Sequence, residues 1–429
     1  MTDFRYLYVL VIGEIYFFYQ NKRFFIFSLV FKFSSKIFST SNCTMDTKIL
    51  DFIAKETNGQ NYKSYKYCFE SVEIPKIHYD DKKGIQVKKK GETDKSLTHY
   101  KSIEALAKKI RQHGKPLFKY FLDGSRRTYK VDDIAYGKKL YPIIAGQIGV
   151  AVCERKDKHS FKPIQLDNPL AISVPENAYA ESSLGNTEVF FNNLRTRLNE
   201  QSILKKRHLQ IRKILPYSNQ PSKDKDKYED RGVARIQEEM IGLEQKIVLS
   251  LVKAKKLNDN SFLVKDGSLE YLKSGESREL SQIKSNYDCV VGISKAFNPE
   301  ALSNDVKNIS RKIAELPLYH RTPAFMYQTE RIPDVKFAVW YLRIRDKKYT
   351  HSPFEGVLKI EKILVREIQE EDGLDSDEID LISANVVNER NPVCYGTDTR
   401  WAKHLYPIYL TENYIKSKFL SDILFINLF

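Results

Sequence analysis

The sequence predicts an α/β protein, a mixed β-sheet core flanked by helices with a small N-terminal α+β extension. Three observations carry that prediction. Apolar runs of strand length stand close together at Leu117–Leu122, Ile143–Glu154 and Ala171–Val174, as an antiparallel meander requires. A long stretch, Val233–Leu257, then places Ile236, Met240, Leu243, Ile247, Leu251 and Ala254 at spacings of three and four, so one face of a helix packs on a core. It feeds directly into further strand-like runs at Phe262–Val264 and Cys289–Ile293.

A chain of 429 residues accommodates two domains or one large domain with insertions. Its formal net charge of +15 and pI near 9.2 favour a polyanionic partner, nucleic acid ahead of an anionic membrane surface. AT-rich coding gives a similar excess of Lys, Asn, Ile, Phe and Tyr, so the charge alone does not decide. The five cysteines, Cys43, Cys68, Cys153, Cys289 and Cys394, are dispersed and odd in number. That pattern supports neither a disulfide framework nor a structural zinc site, and a reducing cytoplasmic setting is expected.

Residues 1–44 differ from the rest. Tyr6–Tyr19 and Phe24–Phe31 are apolar and aromatic, yet Glu14 interrupts the first run and Asn21-Lys22-Arg23 divides the two. Neither reaches the ~20 apolar residues of a spanning helix. Met45 is the expected functional start, with the segment before it an upstream extension of the reading frame and a membrane anchor as the competing view.

Residues 45–114 read as the leading region, with a helix near Asp46–Lys55, extended pieces around Tyr67–His78 and a helix near Ser102–Gln112. Lys82, Lys83, Lys88, Lys89 and Lys90 lie on an expected hairpin, as a phosphate contact or as a solvated loop. The core, residues 115–420, begins with Leu117–Ser125, an apolar strand that delivers Asp123 to the turn signal Gly124-Ser125. The same arrangement returns at Phe262–Ser268, where the strand ends in Asp266-Gly267-Ser268. Two carboxylates at two strand ends suit a hard divalent cation, and two plain turns are the alternative.

Thr187–Leu215 reads as helical and basic, with Arg195, Arg197, Lys205, Lys206, Arg207, Arg212 and Lys213 as candidates for the nucleic-acid backbone. Pro221–Asp230 is a charged loop. On the long helix, Glu244 has Met240, Ile241, Ile247 and Val248 at its flanking positions, which puts a carboxylate at the margin of the apolar stripe. Burial there needs a cation or hydrogen bonds, unless the side chain reaches water. After Cys289–Ile293 comes Ser294-Lys295, a lysine placed to steady a phosphate oxyanion or to lie on the surface. Val335–Arg345 and Glu355–Ile360 read as a strand pair. Glu367–Asp380 is acidic with a helix start at Asp375, and Gly396–Pro407 leads into a closing helix.

Taken together, strand-Asp123-Gly124-Ser125, the meander, the long helix with Glu244, Asp266-Gly267-Ser268-Leu269, Gly292-Ile293-Ser294-Lys295 and Tyr406-Pro407 resemble the NurA nucleases of archaea and bacteria. The resemblance covers roughly Lys115–Leu420. It implies an RNase H-like core in which Asp123 and Asp266 end neighbouring strands of one mixed sheet. It also implies Mn²⁺- or Mg²⁺-dependent cleavage of DNA, a homodimer, and a hexameric HerA-type translocase as partner in processing double-strand break ends. By this likeness Asp123, Glu244 and Asp266 are the metal ligands, with Lys295 and Tyr406 also in the catalytic site. The sequence departs from the family after Tyr406-Pro407. A histidine is expected about two helical turns on, where Thr411-Glu412-Asn413-Tyr414 stands, and His404 lies two residues before the tyrosine instead. An impaired enzyme of the same fold, binding nucleic acid or serving assembly, is therefore the alternative expectation.

Overall fold

A strand of 19 residues, Phe118–Tyr136, crosses the protein, and its neighbours on either side position everything that follows. The computed structural model describes residues 48–62, 66–69, 85–157, 159–179, 186–220, 227–270, 284–302, 306–329, 332–350, 352–389 and 404–429. The apolar segment 1–44, Lys82, Lys83, most of the charged loop at 221–226 and Gly396–Lys403 lie outside these residues, as do the side chains of Lys88 and Lys89.

In chain order the elements are helix α1 (Ile49–Glu56), strands β1 (Gln60–Tyr62), β2 (Tyr67–Cys68), β3 (Ile85–Lys90) and β4 (Lys101–Ser102), and helix α2 (Glu104–His113). Strands β5 (Phe118–Tyr136), β6 (Lys139–Arg155), β7 (Phe161–Asp167) and β8 (Leu170–Pro175) precede helices α3 (Thr187–Asn199) and α4 (Ser202–Lys205). Strand β9 (Ile211–Tyr217), helix α5 (Tyr228–Lys253), strands β10 (Phe262–Asp266) and β11 (Val290–Ser294) and helix α6 (Ile309–Glu315) follow. The remainder is β12 (His320–Arg321), β13 (Phe325–Thr329), β14 (Ile332–Arg343), β15 (Val357–Ile363), α7 (Glu367–Asp372), α8 (Ser376–Asn388), α9 (Tyr406–Lys416) and α10 (Asp422–Ile426).

One mixed sheet runs β3-β13-β14-β15-β11-β10-β5-β6-β8-β9. Along that path β5 and β10, β10 and β11, and β8 and β9 are parallel, and the other pairs are antiparallel. Strands of the leading region belong to the same sheet, since β1 and β2 pair with β5 and β3 pairs with β13.

The chain differs from expectation at Asp123-Gly124-Ser125, which is not a turn. Strand β5 continues through it, with Asp123 opposite Ala151, Gly124 opposite Val150 and Ser125 opposite Gly149. The reversal comes thirteen residues later at Gly137, whose φ of +61° suits glycine. Tyr129, Val131 and Ile134 are fully buried beyond the aspartate, so continued ladder bonding and core burial outweigh a local Asp-Gly signal. A second correction concerns Arg212 and Lys213. They lie on edge strand β9, not on a helix, because Ile211, Ile214, Leu215 and Tyr217 are buried against β8 and its surroundings. The acidic tract forms α7 and α8, and Asp375 caps α8 by accepting from the Asp377 N–H, at the expected start.

The two faces of the central strands carry different helices. Ile236, Met240, Leu243, Ile247 and Leu251 of α5 share a core with Tyr120, Leu122, Ile144, Ile148, Val150 and Val152. Gly146 permits the approach, for a β-carbon there would lie 2.9 Å from Ile236. Helix α9 lies on the opposite face, since Ile415 occupies the space over Gly149, which alternates with Gly146 along β6.

Among the described residues, no helix is long and apolar enough to cross a membrane.

Candidate functional site

Alternation along the strands decides which predicted residues meet. Leu122 faces α5, so Asp123 faces α9, and its side chain is buried at 4% exposure. Parallel pairing sets Lys265 opposite Leu122, which brings the next residue, Asp266, alongside Asp123 on the same face. On β11 the pairing of Ile293 with Asp266 carries Lys295 to that face too. The Lys295 ammonium lies 2.8 Å from Asp266 Oδ2. The structure thus brings Asp123, Asp266 and Lys295 together.

The turn after Asp266 is held from below and beside. Gly267 has φ +82° and donates its N–H to the Ile293 carbonyl at 2.9 Å. Ser268 Oγ and the Leu269 N–H both donate to Glu361 Oε2 at 2.8 Å. Glu361 is fully buried on β15, and its other oxygen accepts from Tyr327 at 3.0 Å and pairs with Lys359 at 2.5 Å. A carboxylate so supplied with donors keeps its pKa below the usual range despite burial, chiefly through Lys359. Gly292 completes the arrangement, because a β-carbon there would come 2.7 Å from Leu269 and 3.0 Å from the Gly267 carbonyl. The two short motifs around Asp266 and Lys295 are therefore one interlocked unit.

Glu244 reaches the same stretch of β5 from the other side. It projects from α5 onto the other face, beneath Gly124, where a β-carbon would collide with Glu244 Oε1. Glycine in the first motif serves this close approach, not a turn. Glu244 is 3% exposed, and Oε2 stands 3.4 Å from the Lys265 ammonium. Burial raises its pKa, and Lys265 opposes the rise. Lys265 and Asp266 are consecutive on one strand and face opposite ways, which puts Glu244 beside the lysine, while the Asp266 charge also raises the Glu244 pKa and the Glu244 charge that of Asp123.

A carboxylate that the sequence reading passes over acts on Asp123 and Lys295 through its charge. Burial raises the Asp123 pKa well above the ordinary value, then Asp266 raises it, Lys295 opposes, and Glu412 of α9 raises it further, ahead of Glu244. Lys295 stays charged because Asp266, Asp123 and Glu412 together outweigh its burial. Glu412 flanks the buried residues Ile408, Thr411 and Ile415, the same stripe-margin signal that singles out Glu244. The window Thr411–Tyr414 draws attention for its missing histidine, and the glutamate within it goes unread.

Tyr406 begins α9 and is 37% exposed, six residues before Glu412, which is about 240° of rotation and roughly 9 Å along the axis. His404 is buried, with its ring 5.8 Å from that of Tyr409, and Asn413 is exposed. Of the basic candidates, Arg197, Lys205, Lys206, Arg207 and Arg212 are exposed, and Arg195 and Lys213 are partly covered. Arg197 pairs with Glu56, Lys213 lies 3.6 Å from Glu239, and Arg195 donates to the Arg212 carbonyl. These residues border β9, three strands from β5 and so roughly 14 Å away at the ordinary strand spacing.

Hard oxygen donors fit a divalent cation here: Asp123 Oδ2 is buried with no hydrogen-bond partner, while Oδ1 accepts from the Gly124 N–H. Among the described residues, no three His, Cys, Asp or Glu side chains already converge on one point as ligands, and Asp266 turns to Lys295. No protein-family model and no curated protein matches the chain.

Proposed function

We propose that this chain is a metal-dependent DNA nuclease of the NurA kind with an RNase H-like core. The observation that carries the reading is the pair Asp123 and Asp266, side by side on adjacent parallel strands, with a buried, unpartnered carboxylate oxygen and a buried lysine beside them. The order of elements supports the fold assignment: a meander of β5, β6 and β8, then α5, then β10 and β11 parallel to β5 and on its other side.

Asp123 and Asp266 would hold Mn²⁺ or Mg²⁺. A bound divalent ion supplies charge neutralisation at the scissile phosphate and a more acidic water. The chain's own part is to keep two carboxylates together against their repulsion, and Lys295 does so by its positive charge. The same ammonium is placed to meet a phosphate oxygen. The exposed Lys205, Lys206, Arg207 and Arg212 would follow the DNA backbone without reading bases.

A homodimer docked on a HerA-type hexameric translocase belongs to the same reading. The acidic surface available to such a partner is smaller than the sequence suggests, because Glu370 pairs with Lys284 and Lys336, Glu378 with Lys362, and Asp380 with Arg321 and Lys101. Glu367, Glu371, Asp372, Asp375 and Asp377 are exposed.

Cleavage of single-stranded DNA in Mn²⁺ by wild type, Asp123→Asn and Asp266→Asn tests the reading. Both variants should retain the fold and lose on the order of a hundredfold or more in rate, since an amide keeps the shape and lacks the charge. Undiminished cleavage by either would move the site elsewhere. Wild type that binds DNA and never cuts it would favour the impaired relative.

A further inference from the structure

A cleft of about 240 Å³ opens where the turn after α9 meets edge strand β9, and His208, Arg212, Lys418 and Phe419 line it together with Gln147. Buried polar contacts build its wall. Gln147 on β6 is 2% exposed, donates from Nε2 to the Tyr129 hydroxyl and the Leu420 carbonyl, both at 3.1 Å, and accepts from the Leu420 N–H at 2.8 Å. This clamp fixes the chain directly after Lys418 and Phe419. The Phe419 ring rests over Gly149, where a β-carbon would come 3.0 Å from it, and the Arg127 guanidinium lies 5.7 Å from its centroid.

Another wall is set by the end of α4, where Leu209 donates its N–H to the Leu204 carbonyl at 3.0 Å and His208 donates to the Lys205 carbonyl at 3.1 Å. The closing turn leaves His208 at φ +53°. Glycine is the usual residue at that left-handed position, so a histidine there strains the backbone and puts a flat, polar ring beside the cleft. Arg212 and Lys418 are exposed cations, Lys418 over the Tyr414 ring at 5.1 Å, and among the described residues no acidic side chain lines the cleft. Two cations and two rings suit a ligand that is anionic at one end and flat at the other. The volume is below the roughly 300 Å³ at which pockets for drug-sized molecules begin, which suits one nucleotide unit and not a base pair.

We propose that this cleft binds a nucleoside phosphate, with the base against Phe419 and His208 and the phosphate at Arg212 and Lys418. Two sources share this chemistry, a nucleotide unit within a single strand and a free nucleotide. The site needs no cleavage at the aspartates, yet its place suits a strand on its way to them. Gln147 pairs with Arg127, four residues along β5 from Asp123 and on the same face, about 14 Å at the ordinary rise of a strand. Four stacked nucleotide steps of about 3.4 Å span that distance.

Fluorescence anisotropy of labelled oligothymidylate on the full chain in EDTA, with unlabelled dTMP as competitor, tests the site in wild type, Phe419→Leu, His208→Gly and the double variant Arg212→Ala/Lys418→Ala. Phe419→Leu keeps apolar packing on Gly149, removes the aromatic ring, and should weaken binding about tenfold. His208→Gly should weaken it about fivefold without lowering the melting temperature, because glycine is at ease in that turn and only the ring is lost. The double variant should lower the slope of log K against log salt by roughly 1.4, at about 0.7 per phosphate contact on a single strand. With these losses in place, oligothymidylate that resists dTMP identifies the strand as the ligand, displacement by dTMP identifies the free nucleotide, and either result upholds the site. Phe419→Leu and His208→Gly that both bind like wild type, or a wild type that binds neither probe, overturn it. Wild type that binds through the cleft yet cuts no DNA in Mn²⁺ upholds the site and sinks the nuclease reading, and cleavage with no loss of binding in the variants does the reverse. Should Phe419→Leu fail to fold, His208→Gly decides alone.

Discussion

Glu244 Oε1 occupies the space that a side chain on Gly124 would need, so a helix residue and a strand residue 120 positions apart specify each other. The contact explains why a glycine stands mid-strand next to a buried aspartate. Gly124→Ala should destabilise the protein by about 1–3 kcal/mol, the usual cost of forcing volume into a packed site. Urea denaturation checks it, and Glu244→Ala in the same chain should return part of the loss. Gly124→Ala with wild-type stability would show that the helix is free to yield.

The Glu244–Lys265 pair is buried on both sides. Removing one partner, as in Lys265→Met, leaves an uncompensated charge and should cost about 3–5 kcal/mol. Replacing both with apolar residues of similar volume should recover most of that, because the desolvation penalty vanishes with the charges. A double variant no better than the single would mean that the pair is not the unit being lost.

Asp123 should make stability fall as pH rises in the absence of metal. Its folded pKa lies above the ordinary 3.8, so between these values the native state binds more protons than the unfolded chain. Stability therefore declines through that window, and above the folded pKa the penalty is complete. In EDTA, Asp123→Asn should be more stable than wild type at neutral pH, and the gap should close on acidification toward pH 4. Thermal melts of the two proteins across pH give the comparison, and a gap that widens in acid would contradict the assignment.

The exposed lysines and arginine at the end of α4 offer a different measurement. Lys205→Ala, Lys206→Ala and Arg207→Ala together should weaken DNA binding uniformly across sequences and lower the slope of log K against log salt by up to about 2–3. An unchanged slope would place the DNA path elsewhere.

Much of the architecture was written in local pattern. Spacing of three and four along Ile236–Leu251 marks α5, the apolar runs mark β6, β8, β10 and β11, and Asp375 marks the start of α8. Asp266-Gly267 also behaves as its local chemistry demands, ending a strand in a positive-φ glycine. Asp123-Gly124 carries the same letters with the opposite outcome. Whether such a dipeptide turns depends on burial of the residues beyond it, here Tyr129, Val131 and Ile134 against helices distant in sequence. The membership of the site was likewise undecided by sequence. Strand alternation sends Lys265 and Asp266 to opposite faces, and only the packing of α5 on one and α9 on the other determines that Glu244 meets the lysine while the charge of Glu412 bears on Asp123. Residue type and spacing named Asp123, Asp266 and Glu244 and left Glu412 unread, and the three-dimensional pairing of β5 with β10 set the two aspartates side by side, because proximity across a sheet is set by register rather than by distance along the chain.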